Sequence, residues 1–85
     1  MRFALLSKKI PPMSSQKLVK LLSDGNARFV RQSGTSHAIF EREKGGRIYR
    51  APVIMAKSDL SSKYVKLVLK QLGFMDEEID DLMTK

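Results

Sequence analysis

The chain has no cysteine and no tryptophan among its 85 residues, three prolines, one histidine and only six aromatic side chains. Without cysteine there is no disulfide framework, no thiolate zinc site and no cysteine nucleophile. Long apolar runs are missing too. The longest, Ala51–Ala56, is six residues and contains a proline, against the roughly 20 needed to span a bilayer. The opening Met1-Arg2-Phe3-Ala4-Leu5-Leu6 is too short for a secretory signal, whose apolar stretch is about 7 to 15 residues long. These absences predict a soluble protein of the reducing cytoplasm with no membrane partner. A second domain is excluded by size, because so short a chain buries only about 60% of the surface its unfolded form exposes.

What is present is positive charge. Sixteen Lys and Arg against nine Asp and Glu give a formal net charge of +7. Residues 76–85 hold five acids and one lysine, which leaves fifteen basic and four acidic residues, a net of +11, in positions 1–75. Such a field attracts polyanions, RNA or DNA first, because each well-placed cation releases counterions from a phosphate backbone. Charge alone also fits a merely solvated surface.

Along the chain, Pro11-Pro12 hold the backbone extended and stop any helix before them, so residues 1–12 read as an N-terminal extension and 13–85 as the domain. Ser14-Ser15 offer an N-cap for a helix over about 14–24, with Leu18, Val19, Leu21 and Leu22 on one face and Gly25 as its left-handed end. Three extended runs follow, 27–32, 37–42 and 47–53, joined by tight turns, and predict an antiparallel meander. Pro52 fits only an edge or a strand end. His37, Ile39 and Glu41 share one parity and Ala38, Phe40 and Arg42 the other, which leaves the faces unassigned. A second helix spans 61–72, with Gly73 as its stop, and Asp76 caps a short acidic helix docking through Ile79, Leu82 and Met83. The order is α-β-β-β-α with a small C-terminal helix, an α+β domain.

His37 is the single side chain able to exchange a proton readily near neutrality. It follows the Gly34-Thr35-Ser36 turn, in a stretch rich in arginine. RNA places a 2′-hydroxyl beside each scissile phosphate, so one base can turn the substrate into its own nucleophile. Arg31 and Arg47 lead as cations for the developing phosphorane charge. Asp24, Glu41, Glu43 and Asp59 are scattered and none falls at ligand spacing with the histidine, so no metal and no cofactor is called for. A Ser36-His37 nucleophilic pair lacks a third residue to orient the ring. Lys63, Lys66 and Lys70 form one stripe on the second helix, either a phosphate clamp or a solvated face. Phe29, Phe40 and Tyr49 read mainly as core.

The run Arg31-Gln32-Ser33-Gly34-Thr35-Ser36-His37-Ala38-Ile39-Phe40, between a Leu-rich helix and Tyr64-Val65-Lys66-Leu67-Val68-Leu69-Lys70-Gln71-Leu72-Gly73-Phe74, resembles the HicA (YcfA-like) toxin family over roughly residues 13–83. Many members place the histidine one residue nearer the glycine and carry another after the third strand, where this chain reads Pro52-Val53-Ile54-Met55-Ala56-Lys57. The resemblance implies a double-stranded-RNA-binding-domain-like fold and an mRNA endoribonuclease with His37 as its catalytic histidine, presented by Gly34, Thr35 and Ser36. It implies a HicB-like antitoxin as partner, in a type II toxin-antitoxin system. Two readings stay beside it: a non-catalytic RNA-binding module of the same fold, and a DNA-binding regulator, for which no helix-turn-helix pair is visible. Met13 as the functional start is a further expectation, checked by the mass of the natively expressed protein.

Overall fold

Ser14 caps α1 (Ser15–Asp24) by accepting the Lys17 N–H at 3.1 Å, and the 3.6-residue period places Leu18, Leu21 and Leu22 on one buried face. The computed structural model describes residues 10–34 and 36–84. Of the extension read over residues 1–12, positions 1–9 lie outside the described residues. Ile10 is buried in the core, and Met13 exchanges backbone hydrogen bonds of 3.0 and 2.7 Å with Leu60.

The expected left-handed Gly25 is corrected. Its φ is −93°, and the left-handed residue is Asn26 at φ 70°. Position 25 needs glycine for space instead, since a Cβ there would lie 2.5 Å from the Phe74 ring.

The three runs form an antiparallel meander in the order β1 (Arg28–Ser33), β2 (His37–Lys44), β3 (Arg47–Ile54). Gly45 and Gly46, at φ 60° and 79°, make the two-residue β2–β3 turn whose twist suits the flanking strands. Helices cover one face of the sheet. Ala38, Phe40, Ala51 and Val53 point into a core shared with Leu18 and Leu22 of α1, Val65 and Leu69 of α2 (Ser62–Gln71) and Ile79 of α3 (Asp76–Met83). His37, Ile39 and Glu41 therefore belong to the open face. Two features blur this pattern in the sequence. The register slips between Phe29 and Arg31, a bulge at Val30, and a charged residue, Arg42, occupies the core-facing parity.

Arg42 explains how α3 is held. Its guanidinium lies 3.8 Å from the Phe74 ring centre and donates to the carbonyls of Gly25 and Leu72 at 3.1 and 3.2 Å and to Glu78 at 2.6 Å. Lys44 reaches the other Glu78 oxygen at 2.7 Å. Burial pushes the Glu78 carboxyl up, but hydrogen bonds from Lys44, the Met75 backbone and Arg42 outweigh it and hold the pKa down at about 2. The expected cap, Asp76, is the first helical residue, and Met75 is the cap. Asp76, Glu77 and Glu78 thus fill the first turn, where the helix dipole favours acids.

The order is the expected α-β-β-β-α with a C-terminal helix, consistent with a double-stranded-RNA-binding-domain-like fold. Among the described residues no helix is long and apolar enough to cross a membrane.

Candidate functional site

The turn between β1 and β2 begins at Gly34, whose φ of +72° is a conformation that a side chain makes costly. The Gln32 side-chain amide donates to the Gly34 carbonyl at 3.4 Å. Thr35 lies outside the described residues. Ser36 anchors the far side of the turn by accepting the Met55 N–H at 2.8 Å. His37 then opens β2, exposed, opposite Ser33 on one side and Ile54 on the other.

Ile54 is clamped. It gives its N–H to the Tyr64 hydroxyl at 3.0 Å, and its carbonyl accepts from the Ser15 hydroxyl at 2.6 Å. Tyr64 also donates to the Pro52 carbonyl at 3.2 Å, and Ser15 accepts the Lys57 N–H at 3.1 Å. The residue facing His37 is therefore tied to both α1 and α2, which fixes the strand end under the imidazole. The Ser36 hydroxyl lies 3.5 Å from His37 Nδ1, at the outer limit of a hydrogen bond. Among the described residues Nε2 has no hydrogen-bond partner, and the residue is exposed.

Cations are distributed unevenly around this ring. Arg31 is two positions before Ser33, the partner of His37, and such diagonal neighbours lie about 7–8 Å apart, within reach of a long side chain. It is exposed and has no partner among the described residues. Arg47 is not brought to the histidine. It pairs with Lys44 at the other end of the hairpin, about 23 Å away at 3.3 Å per residue, with its guanidinium 5.8 Å from the Tyr49 ring centre.

The lysine stripe is exposed on α2, in the helical layer rather than on the open sheet face. Lys63 lies in the first turn beside Tyr64, which contacts the strand end opposite His37. Lys66 follows it. Lys70 is bound to Asp76 at 2.6 Å and is the least available of the three.

One arrangement escaped the sequence reading. Glu41 lies between Arg28 and Arg50 in the cross-strand register and receives hydrogen bonds of 2.6 and 2.8 Å from them. These bonds, Arg28's first and Arg50's second, hold its carboxyl below the ordinary value. The signal was available, because residues 28, 41 and 50 become neighbours once the strands are paired. Glu41 is thereby committed to two arginines. Among the described residues no three His, Asp or Glu side chains gather into a group that could hold a metal ion.

An exposed imidazole with an exposed arginine on the same sheet face suits proton transfer next to a bound phosphate. A groove of about 490 Å³ lies between the start of α1 and the segment that follows β3, lined by Ser14, Gln16, Val19, Met55 and Lys57. The family model described as the HicA toxin of bacterial toxin-antitoxin systems matches residues 15–74, which include the turn, His37 and the whole of α2. No curated protein matches the chain, and no solved structure does.

Proposed function

We infer the function from membership: this chain belongs to the HicA toxin family of bacterial toxin-antitoxin systems, and we propose that it is a metal-independent endoribonuclease that cleaves mRNA in the cytoplasm. The observation that carries the proposal is the exposed His37 ring, set by the Gly34 turn with Nε2 free of protein partners among the described residues.

In this reading Nε2 takes the proton of a ribose 2′-hydroxyl. The 2′-oxygen forms a bond to the adjacent phosphorus, the bond from phosphorus to the 5′-oxygen breaks, and solvent protonates the leaving oxygen. The products are a cyclic phosphate and a 5′-hydroxyl. Arg31 is the cation best placed to stabilise charge on the phosphorane. Arg47 would grip RNA at a distance from the ring rather than stabilise the phosphorane, and Lys63, Lys66 and, less available, Lys70 would hold the backbone from α2. Gly34 and Ser36 position the ring. The partner is a HicB-like antitoxin whose acidic surface covers His37 and the cations around it.

Labelled single-stranded RNA incubated with the protein in EDTA tests the function. Fragments ending in cyclic phosphate are expected. A shifted but intact RNA would select the non-catalytic RNA-binding module, and cleavage abolished by EDTA would refute metal independence.

A further inference from the structure

The two edges of the sheet are treated differently. The β3 edge is closed near His37: Pro52 has no N–H to offer, the Tyr64 hydroxyl bonds Pro52 and Ile54, and the Ser15 hydroxyl takes the Ile54 carbonyl. These bonds fix the polarity of the whole ladder. Since Pro52 and Ile54 turn their backbone groups away from β2, their partners Ile39 and His37 turn theirs toward β1. Arg31 and Ser33 answer inward, and alternation leaves the N–H and C=O groups of Gln32, and of Phe29 before the bulge, directed outward.

Nothing among the described residues covers that outer β1 edge. Every residue from Arg28 to Gln32 is exposed, and Phe29 and Val30, at 56% and 40% exposure, are two of the large apolar side chains left in solvent. An uncovered edge with apolar side chains is a template for another strand.

We propose that β1 is the docking strand for the antitoxin, which adds an extended, acidic segment to this edge. Charge chooses the occupant. Arg28 and Arg31 flank the apolar pair and β1 contains no acid; Glu41 is shared between Arg28 and Arg50 and offsets only one of them, so the edge stays positive and an acidic strand is attracted. A second copy of this chain would instead line up four arginines along one seam, and like charges across a strand pair are unfavourable. The segment would run beside Ser33 and the Gly34 turn, so it would overhang His37 as it pairs. This rests on the toxin-antitoxin reading and adds the place and manner of contact.

The test uses the full chain co-expressed with the product of the reading frame beside its own gene. Amide exchange of Phe29 and Gln32, read by NMR in the free chain and in the complex, is expected to slow at least tenfold on binding. Phe29→Pro gives the β1 edge the defect that Pro52 gives the other, and is expected to weaken the complex at least tenfold. A complex in which both amides exchange as in the free chain overturns the docking strand and leaves the toxin reading standing. Absence of any complex overturns both. Protection of the same amides by RNA, or by self-association of the free chain, assigns the edge to that occupant and overturns the proposal. Because the exchange measurement uses the unaltered chain, it decides the matter even if Phe29→Pro fails to fold.

Discussion

At the scale of single residues, the catalytic proposal depends on a backbone conformation as much as on a ring. Gly34 lies at φ +72° with open space around it, so Gly34→Ala meets no clash but takes a left-handed penalty of about 1–2 kcal/mol. A lowered Tm and slower cleavage with unchanged RNA affinity are expected, from thermal melting, the cleavage assay and a binding titration. Gly25 is the opposite case, limited by room. Its Cβ would meet Phe74 at 2.5 Å, and overpacking of this kind costs about 1–3 kcal/mol. His37 was legible in the sequence as a candidate, because one titratable ring behind a glycine turn stands out. The reason for Gly25 was not, because Phe74 is distant along the chain and meets it only once α2 and α1 share a core. The pairing of Arg28 and Arg50 with Glu41 was hidden in the same way, since it exists only across strands.

At the scale of elements, α3 shows why a charged tail need not be a free tail. Of its five acids, Glu78 forms ion pairs within the fold with Arg42 and Lys44, and Asp76 with Lys70. Arg42 is buried, and removing it takes the donor from the Gly25 and Leu72 carbonyls as well as one of the two cations on Glu78. Arg42→Ala should therefore lower the urea midpoint strongly. The pH dependence follows from Glu78, whose carboxyl is at about 2 in the fold against an ordinary 4.5. A carboxyl lowered by folding contributes stability that is complete above its unfolded value and is lost as pH falls from about 4.5 toward 2. Urea titrations at successive pH values should show that loss in the unaltered protein and a smaller one in Glu78→Gln. The α2 lysines are separable by the same logic. Lys63→Gln and Lys66→Gln should each reduce the salt slope of single-stranded RNA binding by about 0.7, whereas Lys70→Gln, already neutralised by Asp76, should change it less. The order and approximate span of every element were readable from periodicity and turn residues. The strand faces were not, because the Val30 bulge and the buried Arg42 both break the alternation on which such a reading depends.

At the scale of the whole molecule, helices on one face of the sheet leave the other for partners. That open face carries His37 and Arg31 at one end, with the Arg28–Glu41–Arg50 ladder beside them. Arg47, at the far end of the hairpin, and the α2 lysines, in the helical layer, lie away from the ring, so the proposed RNA binding and the proposed chemistry are separable by substitution. The most direct measurement of that separation is single-turnover cleavage of labelled RNA by His37→Ala, with affinity measured on the same RNA. A general base contributes about 10²- to 10⁴-fold, so the variant should lose at least a hundredfold in cleavage rate while binding RNA as the unaltered chain does. Cleavage at the original rate by a folded His37→Ala protein would contradict the account.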